Sequence, residues 1–178
     1  MRWFIIRIVA MLLGAASLAQ SATDIVEPED QLKAATVLAI LQNSKWAAEN
    51  GSPRLVVCVW GRQAIVDALR QALDGKIVNG RTVRVVAATA AMDTRCCQVM
   101  YMGTGRKAEM QRLLPGAAAN RSLTIGEDDR FLDSGGDLNL YIADGHMAFE
   151  ANLPALEESG VSISSKLLRF GRVRGRTP

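Results

Sequence analysis

The run RLVVCVWG, Arg54 to Gly61, is apolar at every interior position. It lacks the alternation of a strand that shows one face to water, so it predicts a strand buried on both faces and covered by helices. Upstream, Pro28-Glu29-Asp30 reads as a helix start, with acids favoured at the positive end of the helix dipole. Ala34, Val37, Leu38 and Leu41 then recur at helical spacing, and Asn50-Gly51-Ser52-Pro53 is the expected breaker. Downstream, Ile65, Ala68, Leu69 and Ala72 form a second helical stripe ended by Asp74-Gly75, and an Asn79-Gly80 turn leads into the strand RTVRVVAAT. CQVMYM is a third strand. Met110, Leu113 and Leu114 mark a short helix stopped by Pro115-Gly116, and SLTIG is a fourth strand. DLNLYIA and HMAFEAN flank Asp144-Gly145, a two-residue hairpin turn. There Leu138, Leu140 and Ile142 alternate with Asn139, Tyr141 and Ala143, which predicts a half-buried hairpin. Asn152 and Ser164 read as caps of two last helical turns. Elements that alternate early and strands that adjoin late predict the α/β class: a single compact domain with a mixed sheet of about six strands packed with helices.

The N-terminus predicts export. MRWFIIRIVAMLLGAASLAQSA carries Arg2 and Arg7, an apolar core from Ile8 to Leu18, and small residues at Ala19 to Ala22. That is the layout of a secretory signal peptide over residues 1–19, with the domain spanning 20–178. The apolar stretch is short of the roughly 20 residues of a spanning helix, so an uncleaved anchor is the weaker alternative. No cysteine lies near the cleavage region to take a bacterial lipid anchor. Loss of Arg2 and Arg7 brings the formal charge from +3 to about +1, so the basic balance is partly the leader's and a nucleic-acid footprint is not supported. The expected location is outside the reducing cytosol.

In an oxidising compartment, three cysteines predict one disulfide and one spare thiol. Side chains alternate along a strand, so Cys96 and Cys97 should face opposite ways, with Cys97 sharing a face with Val99 and Tyr101 and Cys96 at the strand mouth. The expected bridge is Cys58–Cys97, with Cys58–Cys96 as the alternative. Structural zinc wants four ligands in recognised pairs, and an adjacent cysteine pair, one distant cysteine and one histidine do not supply them. His146 follows the hairpin turn and reads as a solvated residue. It is the sole histidine, which removes the usual base of a serine or cysteine triad. Glu150 is a lone carboxylate. The stretch GTGRKA, Gly103 to Ala108, fits G-x-G-x-x-A after a predicted strand, with Glu127 and Asp128 further on as ribose acids. Its Gly103, Gly105, Arg106 and Lys107 are candidate anion- or nucleotide-binding residues, although the helix they open is short and comes late in the chain. The arginines of LLRFGRVRGRTP read as a solvated tail.

These segments together carry a resemblance. RLVVCVWG, VNGRTVRV, CCQVMYMG, SLTIGEDDRFLDSGGDLNLYI and HMAFEANLPALEESGVSISSKLLRFGRV resemble the YfiR family of bacterial periplasmic proteins over roughly residues 30–173. The most specific part is the ordered set Gly135-Gly136, Phe149-Glu150-x-Asn152, Gly160 and Ser164-Ser165-x-Leu167-Leu168. The family's two cysteines fall on Cys58 and, best, on Cys97. The resemblance implies a non-enzymatic repressor, usually dimeric and without cofactor. Such a protein binds the periplasmic sensor region of an inner-membrane diguanylate cyclase, lowers cyclic di-GMP and limits biofilm formation. An outer-membrane lipoprotein is a second implied partner. Phe131, Gly135, Gly136 and Glu150 are the candidate contact residues, although the glycines also fit a tight turn before Asp137 and Phe131 also fits a packing role. Two departures stand out. LAILQNSKWAAEN keeps Trp46 but lacks the family's phenylalanines and proline, and the region Phe131 to Gly136 has no second cysteine pair.

Overall fold

The computed structural model describes residues 28–47 and 52–175. The expected leader and the Asn50-Gly51 part of the expected breaker lie outside them. Among the described residues five helices, α1 (Pro28–Gln42), α2 (Gln63–Leu73), α3 (Lys107–Ala117), α4 (Leu153–Ser159) and α5 (Ser165–Leu168), are interleaved with ten strands. The strands are β1 (Ser44–Trp46), β2 (Arg54–Trp60), β3 (Ile77–Val78), β4 (Arg81–Ala87), β5 (Val99–Met102), β6 (Leu123–Gly126), β7 (Leu138–Ala143), β8 (His146–Asn152), β9 (Val161–Ile163) and β10 (Arg172–Arg174). Eight strands form one mixed sheet in the order β10-β8-β7-β6-β5-β2-β4-β3, two more than the six expected, and β1 with β9 makes a separate antiparallel ribbon.

The central five strands, β4, β2, β5, β6 and β7, run parallel. From β2 the chain crosses through α2 to β4 on one side. From β5 it crosses through α3 to β6 on the other. Right-handed crossovers leading opposite ways place their helices on opposite faces. One core layer accordingly joins Val57, Val59, Val99, Tyr101, Leu123 and Ile125 to Ala34, Val37, Leu41, Ile65 and Leu69. The other joins Cys58, Trp60, Met100 and Met102 to Met110, Leu113, Leu114 and Phe131. The uninterrupted apolar run of β2 thus serves two layers, odd positions one and even positions the other.

Several boundaries differ from the sequence expectation for local reasons. Helix α1 stops at Gln42, because Asn43 Nδ2 donates to the Ala39 carbonyl at 2.8 Å and Ser44 Oγ to that of Ile40 at 2.7 Å, satisfying the helix end before any glycine or proline. Helix α3 runs through Pro115 to Ala117. Pro115 and Gly116 are exposed, as is Gln111, so the carbonyl that loses its partner to the proline lies on the wet side. The hairpin turn has φ of 49° at Asp144 and 74° at Gly145, the left-handed pair that matches strand twist. The hairpin is buried by depth as much as by face: Asn139 near its base is covered, whereas Ile142 near the tip is 45% exposed. Asn152 and Ser164 occupy cap positions, but neither side chain bonds the helix it precedes. The arginine-rich C-terminus is no free tail, since Arg172–Arg174 form β10, parallel to β8.

Phe131 fixes the end of the sheet beyond β6. Its ring is fully buried between Gly126 and Gly136, and a methyl group at either glycine would overlap it. The following chain turns through Gly135 at φ 91°, and Asp137 re-enters the core. Replacing Phe131 with Ala should cost about 3–5 kcal/mol, and Gly136→Ala about 1–3 kcal/mol through overpacking. Urea unfolding of the two variants against the parent measures both.

Candidate functional site

The carboxyl ends of β2 and β5 are where the crossovers diverge, the place at which open α/β sheets leave a crevice. Here the crevice has a volume of about 280 Å³ and is lined by Arg62, Ile65, Gly103, Thr104, Gly105, Arg106 and Glu127. All four residues singled out in the GTGRKA stretch lie there or beside it: Gly103 to Arg106 form the loop after β5, and Lys107 opens α3. Gly105 has φ 75°, which only glycine adopts without strain. Gly103 packs near Gly61 and the Trp60 carbonyl. Arg106 reaches back to the Gly61 carbonyl at 3.3 Å and pairs with Glu109 at 3.5 Å.

The floor of the crevice is a network of buried charge. Glu127 follows β6, with its side chain 6% exposed, and accepts from Lys33 Nζ at 2.5 Å and from the Tyr101 hydroxyl. Lys33 also pairs with Glu29 at 2.7 Å, and Arg62 with the fully buried Asp30 at 2.7 Å. The first turns of α1 therefore lie over the strand ends and close them with salt bridges. Burial, followed by the Glu127 charge, holds the Tyr101 hydroxyl well above its ordinary range, so it stays a donor. For Lys33, burial works against the charge, but the hydrogen bonds and attraction from Glu127 and Glu29 together outweigh it and raise its value above 10.5. The hydrogen bond from Lys33 holds Glu29 below its usual range. A dinucleotide fingerprint needs a free carboxylate for the ribose, yet Glu127 is already bonded to Lys33 and Tyr101. Its charge also faces the space a pyrophosphate would enter.

Under the sheet's other face, Cys58 and Cys97 form a disulfide with their Cα atoms 5.7 Å apart, and Cys96 is a free, exposed thiol. The pairing arises from a geometry other than simple alternation. Cys97 does not share the face of Val99 and Tyr101; it lies with Met100 and Cys58 on the opposite one. The strand begins only at Val99, and a 3-10 turn over Thr94–Cys96, capped by Asp93, resets the phase ahead of it.

At the same strand ends but on the disulfide's face of the sheet, the four candidate contact residues are neighbours with different fates. Phe131 and Gly136 are buried in the plug already described and present no surface, which corrects their expected role. Gly135 is exposed at the turn. Glu150 is partly exposed and accepts from Arg174 Nε at 2.7 Å, while Arg174 Nη1 donates to Asp133 Oδ1 at 2.5 Å. Hydrogen bonds to Glu150 and then to Asp133 raise Arg174 above its ordinary value. Asn152 Nδ2 donates to the carbonyls of Leu132 and Gly136 at 3.4 and 3.3 Å, tying the same turn to β8. His146 is exposed at the hairpin turn, its Nδ1 2.8 Å from the Asp144 carbonyl.

Comparison with known proteins adds a lineage to this geometry. The model of the family described as YfiR/HmsC-like (DUF4154) matches residues 30–172. The chain belongs to the YfiR/HmsC-like family. The match begins at Asp30 and ends at Arg172, so it takes in the crevice floor, the disulfide and the Phe131 plug. A crystal structure of a conserved domain protein from Vibrio cholerae shares the fold, with a TM-score of 0.55 at 11% identity over 81% of this chain. This chain spans 59% of that protein's length. Sequence reasoning missed Asp30, Lys33 and Tyr101 as members of one site. The α1 stripe pointed to them, because Asp30 and Lys33 continue the spacing of Val37 and Leu41 backward along the same buried face.

Lys33→Met should leave Glu127 buried without its cation and destabilise the fold by about 3–5 kcal/mol, with Lys33→Met/Glu127→Gln recovering much of the loss. The raised Lys33 value gives stability that is complete below the ordinary 10.5 and is lost as pH rises through the folded-state value. The raised Tyr101 value has the same sign. Urea midpoints measured across that alkaline range should fall in the parent and fall less steeply in Tyr101→Phe.

Proposed function

We propose that this chain is an exported, non-catalytic regulator that binds the periplasmic sensor region of a membrane-bound diguanylate cyclase and holds it inactive. The single observation that carries this reading is the family match over residues 30–172. The site chemistry supports it. Buried carboxylates at the strand ends are bonded to cations of the same chain, an arrangement suited to rigidity. Repression then works by population shift: the regulator binds the inactive sensor conformation more tightly than the active one. A homodimer as the working form and an outer-membrane lipoprotein as a competing partner complete the proposal. Among the described residues no helix is long and apolar enough to cross a membrane.

For the contact surface we take the rim formed by Asp133, Gly135, Glu150 and Arg174. It is exposed, charged with both signs, and braced from below by Phe131. Exposed ion pairs contribute little to folding, about 0–1 kcal/mol, so this rim can be altered without loss of the fold.

Deletion of the gene should raise cyclic di-GMP in cells carrying the cognate cyclase, and purified protein should capture that cyclase's periplasmic region. Glu150→Ala should weaken capture while unfolding within about 0.5 kcal/mol of the parent. Unchanged cyclic di-GMP, together with tight calorimetric binding of NAD, FAD or GMP that Gly105→Trp abolishes, would replace this reading with a nucleotide-dependent enzyme.

A further inference from the structure

The three sulfurs form a chemical unit that the regulatory reading does not use. Cys58 and Cys97 are 0% and 1% exposed, so a reagent in solvent has no direct approach to their bond. Cys96 is exposed. Its sulfur lies 4.0 Å from Cys97 Sγ, and all three sulfur atoms fall within 4.8 Å of one another. The Cys96 S–H donates to the Asp93 carbonyl at 3.0 Å, which holds the thiol beside the disulfide. A thiol kept against a disulfide is the arrangement from which exchange proceeds, by attack of a thiolate on one sulfur and departure of the other.

The geometry points to Cys96 as an internal exchange thiol that isomerises the core disulfide. Cys96 gives its proton to water and, as thiolate, attacks Cys58 Sγ. The Cys58–Cys96 bond forms as the Cys58–Cys97 bond breaks, and Cys97 leaves as a thiolate that takes a proton from water. One disulfide and one thiol stand on each side, so no oxidant or reductant is consumed. Attack on Cys97, 4.0 Å away, would join neighbouring residues in a strained eight-membered ring, so Cys58 is the productive target, and the Thr94–Cys96 turn must shift to bring Cys96 in line with it. The new bridge closes a loop one residue shorter than the old, so its restraint on the unfolded chain is nearly the same. Choice between the isomers therefore falls to local packing around the turn Thr94–Cys96. That turn is short and is held mainly by the Asp93 cap and the exposed Asp93–Arg95 pair. Exchange would move the free thiol from the surface into the methionine-lined layer of Met100, Met102 and Met110. The chain would then have two covalent forms with different surfaces at residues 93–97.

Trypsin separates the relevant peptides, because cleavage after Arg95 leaves Cys96 as an N-terminal residue and Cys58 lies on Leu55–Arg62. Folded protein is incubated in mildly alkaline buffer without reductant, its free thiol is blocked with N-ethylmaleimide, and the fragments are sequenced by mass spectrometry. The expected result is label on both Cys96 and Cys97, with the Cys97 share growing to more than about one in ten, the ratio for isomers within about 1.4 kcal/mol of each other. Cys96→Ser should take no label at either position, and Cys97→Ser exposed to oxidised glutathione, which is reduced as the two thiols join, should form a Cys58–Cys96 bridge. Label confined to Cys96 in the parent overturns the proposal whatever the variants do. Label on Cys97 in Cys96→Ser also overturns it, since the bond would then open without the internal thiol.

Discussion

Burial of β2 and β5 on both faces is the constraint from which the rest follows. These two strands lie side by side at the centre of the sheet, and almost every side chain on them is enclosed. A strand in that position cannot pair at an edge or turn a face to water, so helices must cover it above and below. The chain meets the demand by leaving β2 in one direction and β5 in the other, which sends α2 and α3 to opposite faces. The same divergence opens the crevice at the strand ends. The crevice is thus a by-product of how the core is covered, and its position alone says nothing about a ligand. What distinguishes it is its contents. A carboxylate, a lysine and a tyrosine are buried there in mutual contact, with an aspartate and arginine pair beside them.

Buried charges cost several kcal/mol each to desolvate, and a buried pair often does no more than break even. The network is therefore poor evidence of stability gained. It does define how α1 sits on the sheet. Ala34, Val37 and Leu41 would accept small slides of the helix along an apolar surface, whereas Lys33 can meet Glu127 and Glu29 together in only one register. Under the proposed function a single fixed placement of α1 is of use, because a surface ordered in advance loses less entropy when it is bound.

Much of this was legible in the sequence, and what escaped notice did so for identifiable reasons. The long elements carried strong periodic signals: the stripe of α1, the unbroken run of β2 and the Asp144-Gly145 turn each dictate a structure locally. Strands β1, β3, β9 and β10 have two or three residues apiece, too few for any period to show; β3 and β10 form because a longer neighbour offers an edge, and β1 and β9 form by pairing with each other. The C-terminal arginines read as solvated for the same reason, although Arg174 finds both Glu150 and Asp133 once β10 pairs with β8. The buried network was hidden because charge in a sequence normally means surface. Only the helical spacing of Asp30 and Lys33 with the apolar stripe contradicted that rule. The cysteine pairing emerged from the sequence with a faulty premise. Alternation was carried back from Val99 through Cys97, but the 3-10 turn had already ended it.

The two faces of the sheet, at the level of these strand ends, answer different questions about function. At the crevice the carboxylates of Glu127 and Asp30 are buried and bonded to cations of the same chain, while Arg62 and Arg106 line the surface beside the Gly103–Gly105 loop. Beyond β6 the pattern reverses. Phe131 is clamped by glycines, Asp137 accepts the backbone and hydroxyl hydrogens of Thr124 at 2.7 Å, and Asn152 holds the intervening turn, while the charged atoms of Asp133, Glu150 and Arg174 are on the outside. Burial leaves the Asp137 carboxyl easier to protonate than usual, and the hydrogen bonds from Thr124 and Ser159 partly offset that. These buried polar contacts restrain the turn more tightly than apolar packing alone would, since each has direction as well as distance. A turn so restrained, carrying charge of both signs on its outer side, is better suited to meeting another protein than to enclosing a substrate. The motif GG in a sequence reads at first as flexibility. Here Gly136 does the opposite: it is small so that an aromatic ring can lock the chain beside it, and only Gly135 uses the conformational freedom that glycine provides.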